Sequence, residues 1–325
     1  MEIKQYQKEN LNFIHIKDDE FEVIFCDLGA AIYTIKYCDD YMIQTTISEK
    51  DFIFGKDYAG KTVGRVSNRI KGNEIVINNQ KYILENNEGD NVLHGGKEGL
   101  STKTFNATIK EKDDLVTVSY KYLSKDGESG FPGNLSIEIR YSILKGTNKL
   151  KIEFFASTDK DTPCSLTNHA YYSAGEPSLK NSKLWIDASN YLYCNPLDLT
   201  AIERRPVTDY LDFRKTKEIY KDIDNPIMVN SKAGGYDHNY YFDNNDDNKV
   251  KAKLIGTKYE MSIFTNFKCL QIYSNNVNNT VPHYGLTNGL HKSLAMEPQD
   301  SYDTLNILKP NEQYYRFITL IFQKI

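Results

Sequence analysis

The chain has 325 residues and a formal net charge of −4 at pH 7, and its Lys and Arg form no cluster, which excludes a broad nucleic-acid-binding face. Its five cysteines, Cys26, Cys38, Cys164, Cys194 and Cys269, are odd in number, widely spaced and without a C-x-x-C. That argues against a disulfide framework or a thiolate zinc site, and for free thiols in a reducing cytosol. The aromatic content is skewed to 24 Tyr and 15 Phe against one Trp, a bias that favours pleated, half-buried strand surfaces.

The N-terminal segment MEIKQYQKENLNFIHIKDDEF has no apolar leader core, and no run of about 18 apolar residues occurs anywhere. The expectation is a cytoplasmic protein without membrane partners. Leu115–Leu123 alternates apolar and polar residues, as do Asn134–Leu144, through Leu135, Ile137, Ile139, Tyr141 and Ile143, and Lys149–Ala156, through Leu150, Ile152 and Phe154. Period two predicts strands with one face in a core. Gly146–Asn148 is a short turn between two of them and predicts an antiparallel hairpin. One short helix is expected near Thr216–Lys221, and the 204–205 arginine pair reads as a solvent-facing connector. Tyr315–Phe322 is a further strand, with Phe317, Thr319 and Ile321 on one side. Turn residues recur at Gly72–Asn73, Asn78–Asn79, Asn86–Asp90, Gly127–Gly133 and Gly234–Gly235. The fold class that follows is all-β: one large antiparallel β-sandwich domain over 1–325, with few short helices.

Five segments break the alternation: GRVSNRI (64–70), NVLHGG (91–96), SLTNHAYYSAG (165–175), GGYDHNYYF (234–242) and AMEPQDSYD (295–303). Each joins an ionisable residue to Gly, Asn or Pro at a strand end, where a rigid sandwich carries chemistry. Arg69 reads as readily as a structural arginine, at the surface or locked into a core ion pair, as a functional one. The glycines after His94 imply close approach of the backbone to something. His169 lies beside Tyr171 and Tyr172, a suitable wall for a sugar ring. Asp237 and His238 are adjacent, so a strand turns them to opposite faces and at most one meets a given cleft. Glu297 follows an apolar strand end, where burial raises a carboxylate pKa. Two chemistries use such a set: a mononuclear metal site with His and carboxylate ligands, or metal-free proton transfer on a polyol.

Taken in order, the segments resemble the aldose 1-epimerases, the galactose mutarotase family. The shared pattern is G-R-x-x-N-R-I, N-x-L-H-G-G, N-H-x-Y-F/Y, G-x-D-H-N, Q-x-Y-x-x-N and L-E-P-Q with P-D and N after it, from Gly64 to Asn306. The resemblance implies a β-sandwich with a sugar cleft, and interconversion of the α and β anomers of a free aldose, galactose or glucose. It implies Glu297 as general base and His169 as general acid, with no metal or other cofactor. Arg69 and His94 would hold hydroxyls or the ring oxygen and tune His169. Asp237, Gln271 and Asn68 would complete the substrate-binding set. The implied partner is a monosaccharide, with no nucleic acid or membrane, and the chain is expected to be a monomer or homodimer.

Lys268–Cys269 stands where the family carries Pro-Gly, Met296 replaces Leu and Tyr302 replaces Pro. These changes are expected to touch the cleft rim, and they leave open a sugar-binding protein without turnover, or a mutarotase for sugar phosphates or disaccharides.

Overall fold

A computed structural model describes residues 1–44, 48–55, 58–277 and 290–325. The predicted alternation becomes strand burial. Along Leu135–Leu144 the residues Leu135, Ile137, Ile139, Tyr141 and Ile143 are buried and those between them are not. Each such aliphatic side chain contributes roughly 1.5–3 kcal/mol over an exposed one. Lys149–Thr158 buries Leu150, Ile152, Phe154 and Ala156 in the same way, and the two strands pair antiparallel across the Gly146–Asn148 turn. Asn78–Asn79 forms a tighter hairpin: both residues take left-handed φ, 51° and 62°, which a two-residue turn between right-twisted strands requires.

Nine strands make the largest sheet, in the spatial order Asn106–Lys112, Leu115–Ser124, Leu135–Leu144, Lys149–Thr158, Tyr314–Lys324, Tyr259–Thr265, Ala252–Ile255, Lys183–Ile186 and Lys217–Glu218. A seven-stranded sheet runs Ala201–Pro206, Asn190–Cys194, Asp237–Tyr241, Cys269–Tyr273, Leu294–Gln299, Tyr171–Tyr172 and Ile43–Gln44. A five-stranded sheet collects the N-terminal strands from Glu2–Lys8 to Asp40–Tyr41. One hydrophobic cluster draws Ile139, Ile152 and Leu320 from the first sheet, Tyr240, Ile272 and Met296 from the second, and Val23, Phe25 and Ile35 from the third. The architecture is therefore a β-sandwich with a shared core, as expected.

Two local expectations change. Thr216–Lys221 is not an α-helix: Lys217–Glu218 pairs onto the edge strand Lys183–Ile186, and only Ile219–Lys221 turns, as a 3-10 helix. Its one buried residue, Ile219, is too little apolar surface for a helical stripe, and the open sheet edge captures the segment. The 204–205 arginines sit not in a connector but on the strand Ala201–Pro206, at the edge of the seven-stranded sheet; Arg204 faces solvent as expected and Arg205 is half-buried, with their guanidinium groups over Tyr241 and Tyr193. In the last strand Phe317, Thr319 and Ile321 share one side as expected, with Phe317 beside Tyr315 and Lys151, and the opposite side, Ile318, Leu320 and Phe322, faces the core. The described residues hold two short α-helices, Glu49–Phe54 and Pro226–Val229, in keeping with the few expected but at positions the sequence did not single out. No helix among the described residues is long and apolar enough to cross a membrane.

Candidate active site

The three central strands of the seven-stranded sheet explain the site. Leu270, Ile272, Leu294 and Met296 turn into the core. Period two then turns Asp237, Gln271 and Glu297 to the opposite face, where Gln271 lies directly across from Glu297. On that face is a cavity of about 700 Å³. All seven predicted residues, Asn68, Arg69, His94, His169, Asp237, Gln271 and Glu297, line it. They come from six separate segments of the sequence.

His94 is held by its own backbone geometry. The pair Val92–Leu93 bridges Arg69–Ile70, and the bridge continues as the His94 N–H donates to the Asn68 carbonyl at 3.0 Å. His94 then takes a left-handed φ of 52° and Gly95 one of 90°. A Cβ on Gly95 would stand 1.8 Å from the Gly64 carbonyl oxygen, so the close approach implied by the LHGG segment is backbone against backbone. The Asn68 N–H donates to His94 Nδ1 at 3.2 Å. Nδ1 is thereby an acceptor, and the neutral ring carries its proton on Nε2. Burial, then the fields of His169 and Arg69, holds the imidazole pKa well below its ordinary value, so the ring is neutral at pH 7.

His169 follows the two-residue strand Thr167–Asn168, which pairs with Thr62–Val63. Its Nε2 lies 3.3 Å from Glu297 Oε1, with both side chains almost wholly buried. Glu297 Oε2 is buried without a hydrogen-bond partner among the described residues. Burial is the main reason the Glu297 pKa rises well above the carboxylate range, with Asp237 adding to it and Arg69 opposing.

A closed polar circuit borders this pair. The Gln271 amide donates to Asp237 Oδ1 at 2.5 Å, the Asn68 amide donates to Gln271 Oε1 at 2.9 Å, and Arg69 Nη1 donates to Asn68 Oδ1 at 3.3 Å. Arg69 Nη1 also lies 3.8 Å from Asp237 Oδ2, which completes the ring. Burial works against the Arg69 charge, but Asp237 and Glu88 outweigh it and push its pKa up. The Asp237 pKa is raised, chiefly by burial, despite Arg69. Such a circuit fixes amide orientations and offers the remaining donors and acceptors to a hydroxyl-rich ligand.

His238 lies outside the cavity, as strand alternation requires. Its ring packs near Tyr191 and Tyr236, its Nδ1 accepts the Asp237 N–H at 3.1 Å, and burial pushes its pKa down to about 4. Tyr171 lines the cavity and packs on His169 at 5.1 Å, whereas Tyr172 points into the core. The expected rim changes lie elsewhere. Cys269 is buried between Tyr241 and Gln299, Met296 is in the core, and the Tyr302 hydroxyl is 2.8 Å from Cys194 Sγ. None of these residues, nor Lys268, lines the cavity.

Sequence reasoning missed Glu88, which grips Arg69, and Lys232, Tyr58 and Asn275 in the lining, where Tyr273 of the Q-x-Y-x-x-N motif also lies. Glu88 sits in a turn-rich stretch, NNEGD, that carries no periodic signal. Left-handed φ at Tyr58, Asn68, His94 and Asn275 marks the lining as a place where backbone strain is concentrated.

His94, His169 and Glu297 bring one ligand atom each within 4.8 Å, the span of a small metal site. The donor set fits a metal poorly. A metal on His94 Nε2 would need the proton on Nδ1, where it would face the Asn68 N–H donor.

The sequence pattern of the aldose 1-epimerases matches residues 12–320. A relative named aldose 1-epimerase from Haemophilus influenzae is 31% identical over 329 residues, covering 94% of each chain. One of the same name from Escherichia coli is 30% identical over 289 residues, covering 80% of each. A solved structure of galactose 1-epimerase from Lactobacillus acidophilus superposes with a TM-score of 0.86 at 25% identity, covering 99% of this chain and 98% of that one. With the cleft, the buried His169–Glu297 pair and the ordered motifs in place, this chain belongs to the aldose 1-epimerase family.

Proposed function

We propose that the chain, acting as one sandwich domain over 1–325, interconverts the anomers of a free aldose by proton transfer between the sugar and the acid–base pair His169 and Glu297. The observation that carries this reading is the 3.3 Å approach of His169 Nε2 to Glu297 Oε1 inside the cavity. Ring opening needs a proton removed from the anomeric hydroxyl and one delivered to the ring oxygen. Both oxygens are bonded to the same carbon, so acid and base must converge on atoms two bonds apart, and the close approach of His169 Nε2 to Glu297 Oε1 supports this pair in that role.

Glu297 Oε1 takes the proton of the C1 hydroxyl. As the C1=O double bond forms, the C1–O bond of the ring breaks and its oxygen receives the proton of His169 Nε2. Rotation about C1–C2 exposes the other face of the aldehyde. The freed hydroxyl then adds to C1 and returns its proton to His169, while the carbonyl oxygen recovers one from Glu297. Each transfer contributes about 10²–10⁴-fold. The buried environment keeps the Glu297 pKa high enough to make it a competent base near neutral pH. Neutral His94, with its proton on Nε2, donates to a sugar oxygen, and Arg69, Asp237, Gln271 and Asn68 bind the remaining hydroxyls.

The lining favours a neutral sugar over a sugar phosphate. Among the described residues, Asp51, Glu88, Asp237 and Glu297 face Arg69 and Lys232, and Lys232 is already 3.4 Å from Glu88. Relatives named galactose mutarotase, such as that of Sus scrofa at 27% identity, make galactose the first aldose to try, with glucose next. Polarimetry on freshly dissolved α-galactose tests the reading. Acceleration to anomeric equilibrium, lost in Glu297→Gln and His169→Asn, supports it. No acceleration with any common aldose overturns it, and tight calorimetric binding without turnover would leave a sugar-binding protein.

A further inference from the structure

Tyr58 lies outside every motif of the sequence, yet it is built into the acid–base pair. Its backbone φ is +57°, a left-handed conformation that costs a non-glycine residue roughly 1–2 kcal/mol. Such strain persists only where the surroundings over-determine it. Here the surroundings are His169 itself. The Lys61 N–H closes the turn on the Tyr58 carbonyl at 2.9 Å. The Gly60 N–H donates to the His169 carbonyl at 3.0 Å, the His169 N–H donates to the Lys61 carbonyl at 2.9 Å, and the Asn168 amide donates to the Gly60 carbonyl at 2.7 Å. The turn is anchored from beneath as well, since a Cβ on Gly60 would meet the Ile32 carbonyl oxygen at 2.0 Å. Tyr58 and His169 therefore share one backbone unit.

The side chain returns to the same place. The Tyr58 ring centroid is 4.8 Å from that of His94 and 5.7 Å from that of His169, and the two imidazoles are 5.2 Å apart at 87°. Three rings thus brace one another, with Tyr171 supporting His169 at 5.1 Å. An imidazole has a soft χ2, so hydrogen bonds to its backbone do not fix its plane, whereas ring contacts do. Tyr58 lines the cavity, and burial, then the charge of Glu88, raises its phenol pKa against the opposing charge of Arg69.

We propose that Tyr58 is a positioning residue: its ring sets the plane of His169 so that Nε2 stays turned to Glu297, and its hydroxyl forms part of the wall that meets the sugar. The proposal rests on the acid–base reading above. A displacement of about 1 Å in such a group can lower the rate on the order of 10²-fold.

The test compares Tyr58→Ala, Tyr58→Leu and Tyr58→Phe with the wild type in kcat, KM and thermal midpoint, and follows the His94 imidazole by NMR through a pH titration. Expected is a fall in kcat of about 10-fold or more for Ala and Leu. The Phe variant should recover kcat to within about 3-fold while raising KM, since it keeps the ring and loses the hydroxyl. Opening the site to water should move the His94 titration up toward its ordinary value in Ala and Leu, but not in Phe. Wild-type kcat in Ala or Leu, or a Phe variant as slow as Ala, would overturn the proposal. If the Ala variant does not fold, Leu carries the comparison. An inactive wild type would sink the acid–base reading instead, and an unmoved His94 titration in Leu would then overturn the ring-bracing role independently.

Discussion

Glu88 holds the Arg69 guanidinium with both carboxylate oxygens, Oε2 at 2.7 Å from Nε and Oε1 at 3.0 Å from Nη2. The grip aims Nη1 at Asn68 and Asp237, and so decides which donor the cavity receives. Glu88→Gln removes one charge and one acceptor. The loss of stability should be about 1–3 kcal/mol, below the roughly 3–5 of a fully buried pair, because Asp237 still faces Arg69. The larger effect should be on KM, with kcat/KM falling on the order of 10-fold or more. Steady-state polarimetry with a melting curve separates the two. An unchanged KM would show that Arg69 does not depend on Glu88 for its aim.

Glu297→Gln keeps the volume of the side chain and removes the proposed base, and kcat should fall by about 10²–10⁴-fold. Stability should move the other way. Burial raises the folded-state pKa of Glu297, so above its ordinary value of 4.5 the native state keeps a proton that the unfolded chain has released. The stability contributed by this group therefore falls as pH rises through that window, and is level above the folded pKa. The Gln variant lacks the slope. Its thermal midpoint should overtake that of the wild type between acid and neutral pH, as read by melting at a series of pH values. A variant that is both slow and less stable at every pH would contradict the burial account.

Neutral His94 with its proton on Nε2 predicts two results. Nitrogen NMR should find the Nε2–H tautomer and a titration well below 6.5. Chelators should leave activity unchanged, and elemental analysis of purified protein should find no stoichiometric metal. A tightly held ion removed together with activity would mean that the His94 ring is flipped relative to this geometry.

Gly95 and Gly72 both have left-handed φ, 90° and 69°, but only Gly95 is enclosed. Gly72→Ala meets nothing within 4 Å and should destabilise by only about 1 kcal/mol, the backbone term alone. Gly95→Ala drives its Cβ into the Gly64 carbonyl and should either prevent soluble expression or displace His94, with several-fold loss of kcat/KM. Urea melts and activity measurements on both variants check the contrast. Equal, mild effects would place the LHGG backbone further from Gly64 than described.

The sequence by itself determined the parts of this protein that depend on local pattern. Period two in Leu135–Leu144 and Lys149–Thr158 was enough to predict strands and their hairpin, because alternation maps directly onto the two faces of a sheet. The six ordered motifs identified the family, and alternation alone separated Asp237 from His238. What only the tertiary structure decided depends on contacts between segments distant in the chain. Lys217–Glu218 became a strand because an open sheet edge lay beside it, which no local propensity contains. Glu88 joined Arg69, Tyr58 joined His94 and His169, and Tyr171 was separated from Tyr172, through packing across sheets and loops. The 3.3 Å between His169 and Glu297, 128 positions apart in the chain, is of the same kind. Each residue was visible as a candidate in its own motif, but desolvation and distance, which make the two a pair, exist only once the sheets close around them.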